Sequence, residues 1–312
     1  MRTLIDIINT VCDEVSGLPR LNAIVGSSNQ TARQMLALAN REGFELARMS
    51  GAAQGWPELR KEYVFNVQST GLIAGCSTTS GSNIITLGST ASVPQVGWLL
   101  SVSGGSNATG FSYPATVVSV VGAAVTVSSN STITTSNVTI AFGQESYSLP
   151  ADFSYIINDT IWDRGYRWRI VGPATPQEWQ ILKSGLNPTG PRRRYRMMAK
   201  KIYFDPIPYD SNQLVFEYYS NAFCQSQLGV AQTTWLTDLD TPILQDELFV
   251  LGIKWRWRQA QGLDYSQEYA SYKENCEMLM ANATSGRSLP LSGAFQDGLL
   301  NYNNIPDTGF GV

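Results

Sequence analysis

At 312 residues the chain is long enough for about two domains. Its composition, 43% hydrophobic and only 15% charged with abundant Gly, Ser, Thr and Asn, is that of a folded, turn-rich protein with much β-structure. A formal net charge of -3 excludes tight binding to nucleic acid by counterion release, while suiting a surface that DNA slides past. There is no histidine, and Cys12, Cys76, Cys224 and Cys276 stand apart without a CxxC pair. Histidine-based catalysis is therefore excluded and Cys/His zinc sites nearly so; the four cysteines read as small buried hydrophobes.

The chain begins Met1-Arg2-Thr3-Leu4-Ile5-Asp6, without the apolar run of a signal peptide, and no stretch of about 18 apolar residues occurs. A soluble protein made in the cytosol, with no membrane contact, is expected. Leu4, Ile5, Ile7, Ile8, Val11 and Val15 recur at helical spacing after Thr3, a cap with Asp6 three residues on, and Gly17 and Pro19 end the run. Ser27 or Ser28 is expected to cap a second helix with an apolar stripe of Ala32, Met35, Leu36, Ala39, Phe44 and Ala47, ending at Ser50-Gly51. Trp56-Pro-Glu-Leu59 then leads into a short strand, residues 63–67.

From Val67 to Gln144 there is no Asp, Glu, Lys or Arg, although charges are frequent on both sides. The shift marks an inserted domain, and β-branched runs at 83–87, 98–102, 116–121, 124–127 and 138–142 predict a small β-sandwich or barrel. Edge strands are usually guarded by charge or Pro. This segment has only Pro94 and Pro114, so it is expected to pack on something or to close on itself. Two readings stand: a Thr/Ser-rich barrel that needs no charge once assembled, or a lateral or tail-facing contact surface.

Strand signals resume at Tyr147-Ser-Leu-Pro-Ala-Asp-Phe153, 156–157, 161–162 and 168–171, with a short helix opening at Pro176. Three further strands are expected at 194–198, 201–204 and 214–218. Asp240 or Thr241 before Pro242 reads as a helix start, followed by Leu244, Leu248, Leu251, Trp255 and Arg258. After Gly262, the positions Tyr265, Tyr269, Tyr272, Cys276 and Leu279 form a seam for another helix. Beyond residue 284 the chain is rich in Gly, Asn, Pro and Ser without a stripe, the composition of an extended arm ordered on binding.

The expected fold class is α+β: a helix bundle formed by the N- and C-terminal helices, with a β-domain and an inserted small β-sandwich or barrel. The division is 1–66 for the helical hairpin and first strand, 67–143 for the insert and 144–240 for the β-rich core. Residues 241–284 supply the closing helices and 285–312 the arm.

Candidate chemistry is sparse. Asp152, Asp159, Asp163 and Glu178 share one β-rich stretch with Trp162 and Trp179, a composition compatible with a sugar hydrolase, but each reads better as a turn, cap or ion-pair residue. Arg192-Arg193-Arg194, with Arg196, Lys200 and Lys201, is the basic cluster; a solvated strand edge or a protein contact suits it better than DNA. No Gly-rich phosphate cradle is present. No catalytic residue, metal site or cofactor is expected.

Several segments together resemble the head-to-tail connector proteins of short-tailed bacteriophages, the adaptor and gatekeeper group that includes tail tubular protein A. They are Trp56-Pro-Glu-Leu59, Tyr147 to Phe153, Gly190-Pro191, Ile202-Tyr-Phe-Asp-Pro206, Pro242-Ile-Leu-Gln-Asp-Glu-Leu248 and Lys254-Trp-Arg-Trp-Arg-Gln-Ala-Gln-Gly-Leu-Asp-Tyr265. They span 1–66 and 144–285, and the uncharged insert departs from the smaller members. The resemblance implies a non-enzymatic virion protein of the neck, a subunit of a dodecameric ring between the portal protein and a tail or nozzle protein or tail fibres, surrounding the channel and touching packaged DNA transiently. It further implies a C-terminal arm docking on the portal, for which Leu289, Leu291, Phe295, Ile305, Pro306 and Phe310 are the candidate anchors. A receptor- or carbohydrate-binding tail component is the rival reading, from the Thr/Ser/Asn-rich β-module with its aromatic residues, and a glycosidase the third.

Overall fold

The computed structural model describes residues 1–49, 55–102, 110–112, 114–184, 193–207 and 212–283. In chain order it runs α1 (Leu4–Glu14), α2 (Gln30–Arg48) and β1 (Arg60–Asn66), then β2 (Ile73–Thr78), β3 (Ile84–Thr86), β4 (Leu99–Val102), β5 (Val117–Val121), β6 (Ala124–Val127) and β7 (Thr135–Gly143). Next come β8 (Ser146–Ser148), β9 (Phe153–Ile156), β10 (Trp162–Asp163), β11 (Trp168–Arg169) and α3 (Pro176–Lys183). The last part holds β12 (Arg194–Met198), β13 (Lys201–Asp205), β14 (Gln213–Ser220), the two-residue strands β15 (Cys224–Gln225), β16 (Ala231–Gln232) and β17 (Thr241–Pro242), then α4 (Asp246–Ala260) and α5 (Ser266–Ala283). The class is α+β, as the sequence pattern predicts.

Local signals set the helix ends. Thr3 and Asp6 close a capping box at α1, Thr3 Oγ1 accepting from Asp6 N and Asp6 Oδ2 from Thr3 N. Asn29, rather than Ser27 or Ser28, caps α2: its Oδ1 accepts from Thr31 N at 2.9 Å, and Ser27 Oγ instead accepts from Asn29 N and shapes the preceding turn. The start expected at Asp240 to Pro242 is also corrected. Asp240 is fully buried and its carboxylate accepts from Leu236 N, Thr237 N and Thr237 Oγ1, closing a turn. Pro242 sits opposite Cys224 in β17, and α4 begins four residues later at Asp246.

At 11 residues α1 is too short to persist alone. Burial holds it: Leu4, Ile7, Ile8 and Val11 are wholly enclosed, each worth roughly 1.5–3 kcal/mol of hydrophobic free energy. α4 touches α1, α2 and α5, which is why its burial extends over Leu248, Phe249, Val250, Ile253, Trp255 and Trp257 rather than one narrow stripe. The two ends of the chain are tied across more than 200 residues: Leu4 N donates to Asp240 O at 2.9 Å, Val25 N to Asp238 Oδ1 at 2.7 Å, and Lys254 Nζ pairs with Glu14 at 2.9 Å. Gly252 permits the α2–α4 approach, since a Cβ there would lie 2.2 Å from Glu42 Cδ.

β14 joins this helical core to a second, aromatic one. Leu214, Phe216 and Tyr218 point to a cluster with Tyr147, Tyr195, Ile202 and Phe204, while Tyr219, on the other face, packs with the helices. β1 pairs antiparallel with β14 along its whole length, from Arg60 opposite Tyr219 to Asn66 opposite Gln213, which extends the strand expected at 63–67 back to residue 60. The hairpin β12–β13 pairs in turn with β8.

The uncharged segment forms its own six-stranded sheet, in the order β4-β7-β2-β3-β6-β5, around Ile73, Cys76, Ile85, Phe111, Val125, Ile140 and Phe142. Its ends meet. Leu99 bridges Thr116, Leu100 N donates to Ala115 O at 2.8 Å, and Val117 N to Trp98 O at 2.8 Å, so the sheet closes as a barrel. Closure removes the open edges that charge would otherwise guard.

Candidate functional site

The four acidic candidates do not converge; no two share a side-chain partner. Asp152, just before β9, accepts from Lys61 Nζ at 2.6 Å, Ser220 Oγ at 2.7 Å and Tyr218 OH at 2.9 Å. Burial works to raise its pKa, but these hydrogen bonds outweigh it and hold the carboxyl below its ordinary range. Asp163 is fully buried, Oδ1 accepting from Gly165 N and Tyr166 N and Oδ2 from Arg193 Nη1 at 2.9 Å. Asp159 is an exposed turn residue at φ 64° paired with Arg169, and Glu178 completes the capping box of α3 with Thr175. These are turn, cap and ion-pair roles, without a carboxylate pair aimed at a common substrate atom.

The basic cluster is split. Arg193, expected on a solvated strand edge, is only 5% exposed, because Asp163 draws it inward and its guanidinium lies 5.7 Å from the Tyr166 ring centre. Arg194 stands opposite Asp205 and Arg196 opposite Tyr203 in the β12–β13 ladder, while Lys200 lies in the turn between those strands. Arg192 lies outside the described residues. All four cysteines are buried and none forms a disulfide. Burial pushes the Cys224 thiol up to about 12 and Cys276 to about 11, so neither is a thiolate at neutral pH. Among the described residues no three His, Cys, Asp or Glu side chains gather as a metal-ligand group.

The barrel turns its Val96, Val118 and Val121 outward, Val121 being 76% exposed, on a module with no charge to repel or select a charged partner. The arm anchors Leu289, Leu291, Phe295, Ile305, Pro306 and Phe310 lie outside the described residues.

One polar cluster escaped the sequence reading. Arg256 on α4, 4% exposed, donates from Nε to Glu42 Oε2 at 2.6 Å and from Nη2 to Glu45 Oε2 at 2.7 Å, with its guanidinium 4.3 Å from the Trp255 ring centre. Glu42 is wholly buried, and burial pushes its carboxyl up against the pull of Arg256. The signal was present: Glu42 falls on the stripe Ala32, Met35, Ala39, Leu46, and Arg256 stands between two tryptophans. A charge within an apolar stripe needs a buried partner.

Comparison with known proteins adds the family. No curated protein matches the chain. The model of the SU10 adaptor protein family matches residues 117–292, more than half of the chain, from β5 of the barrel through α5. The segments 147–153, 190–191, 202–206, 242–248 and 254–265 lie inside that match; the first 66 residues, with Trp56-Pro-Glu-Leu59, lie before it. With more than half of its length matching this model, the chain belongs to the SU10 adaptor protein family of phage structural proteins.

Proposed function

We propose that the chain is a ring-forming head-to-tail adaptor or gatekeeper subunit that joins the portal to the tail in the virion neck and surrounds the DNA channel. The family match over residues 117–292 carries this reading. It is supported by a helical body tied together from both chain ends, which gives a subunit a rigid wall to set against its neighbours, and by a net charge of -3, which discourages DNA from adhering. The five-part division of the sequence belongs to the same proposal. Residues 1–66 and 144–284 form the connector core, 67–143 a module presented for lateral or tail-facing contact, and 285–312 an arm for the portal. The subunit acts by assembly and not by catalysis.

A heterologous contact repeated around an axis closes a ring when the rotation divides the circle. Mixing the purified chain with its portal and weighing the complex by native mass spectrometry should give a ring of about twelve copies of this chain. A trimer would instead favour the receptor-binding reading. Glycan hydrolysis lost in Asp152→Asn or Glu178→Gln would favour the enzyme.

A further inference from the structure

A cleft of about 570 Å³ opens where the turn before β9 meets the β12–β13 hairpin. Leu149, Phe153, Met197 and Met198 supply apolar side chains to its lining. Lys200 and Lys201 stand exposed along it and make no ion pair among the described residues. Asn221 also lines it. Asp152, between the lining residues Ala151 and Phe153, is already held by Lys61, Ser220 and Tyr218.

Each feature asks for a different part of one ligand. The apolar part of a lining of this size takes one or two side chains. Two ammonium groups without an ion pair among the described residues draw carboxylates. The hairpin holds these features in place: it turns through Ala199 and Lys200, both left-handed at φ 48° and 59°. That geometry ordinarily calls for Asn-Gly, so the turn is a costly one for these residues to keep.

We propose that this cleft receives an acidic segment of a partner protein, with an apolar side chain against Leu149, Phe153 and Met197 and a following carboxylate on Lys200 and Lys201. The contact is a property of the single subunit, so it stands or falls separately from ring assembly.

The test is a titration of the full chain, labelled with ¹³C-methyl methionine, with the peptide acetyl-Gly-Leu-Asp-Glu-Gly-amide. Of the seven methionines, Met197 and Met198 line the cleft, and their methyl signals, assigned through Met197→Leu and Met198→Leu, should shift on binding. Replacing Asp-Glu in the peptide by Asn-Gln, or its Leu by Gly, should weaken binding about tenfold, as should Lys200→Glu with Lys201→Glu. The doubly substituted chain should unfold at an unchanged midpoint. Equal affinity for the uncharged peptide, or no Met197 or Met198 shift at about 10 mM peptide, would overturn the proposal. Tighter peptide binding by a chain ending at residue 283 would also overturn it, by assigning the cleft to the chain's own last segment.

Discussion

Replacing Arg256 by methionine is expected to destabilise the fold by about 3–5 kcal/mol, read as a fall in the urea midpoint with little change in slope. The substitution keeps much of the side-chain volume but removes the cation that meets Glu42 and Glu45, and Glu42 has no exposed surface through which water can replace it. Restoring shape without charge should reverse most of the loss: the double substitution Glu42→Met with Arg256→Met is expected to lie within about 1–2 kcal/mol of the native chain. The single variant should also recover in mild acid. Left unpaired, the buried Glu42 carboxyl has a folded-state pKa above its unfolded value near 4.3. Its penalty is therefore full above the folded pKa, shrinks as pH falls through it, and is gone near pH 4.3. A loss below about 1 kcal/mol, or a double variant as weak as the single, would show that the pair does not hold α2 to α4.

Deleting residues 288–312 is expected to leave a folded subunit that no longer binds its portal. The residues of α5 that pack on the helical core, Tyr272, Cys276, Leu279 and Met280, all precede the cut. If Leu289, Leu291, Phe295, Ile305, Pro306 and Phe310 anchor the arm, their burial supplies roughly 1.5–3 kcal/mol for each large side chain, set against the cost of ordering the segment. Even half of that surplus lost should weaken binding about 10-fold or more, measured by co-sedimentation of portal with deleted and full-length chains. The circular dichroism spectrum should keep its helical signal. Undiminished portal binding would remove the arm from the account, and unfolding of the deleted chain would mean that the arm belongs to the core.

The readable parts of the fold were those governed by neighbours in sequence. Thr3 with Asp6, and Pro176 at the first turn of α3, announce helix starts because the groups that satisfy the free N–H donors lie within four residues. The seam through Tyr265, Tyr269, Tyr272 and Cys276 was legible for the same reason, and Tyr272 and Cys276 are buried while Tyr269 stays 44% exposed. Pro242 misled because proline serves both the first turn of a helix and a short strand that needs no N–H; only pairing with Cys224, 18 residues upstream, decides between them. β2 was missed because Gly75, at φ 73°, breaks the alternation between Ile73 and Cys76 that would have marked a strand.

Other features depended on contacts that local pattern does not encode. The absence of charge between residues 67 and 144 signalled an unusual β-module, but not which strands would meet. Closure rests on β4 pairing with the segment leading into β5. The acidic candidates were read as turn, cap and ion-pair residues, and the structure gives them those roles, yet nothing local shows that Arg193 turns inward to Asp163 thirty residues away. Glu42 and Arg256 are 214 residues apart, and their match is visible only once α2 and α4 lie side by side.

The most direct measurement is an electron cryo-microscopy map of the assembled neck. The account predicts a collar of about twelve copies of this chain immediately below the portal, with α1, α2 and α5 packed around α4 in every copy and residues 285–312 running up onto the portal. A map that places the chain as a trimer at the tail tip, or that shows residues 1–49 packed away from 246–283, would contradict it.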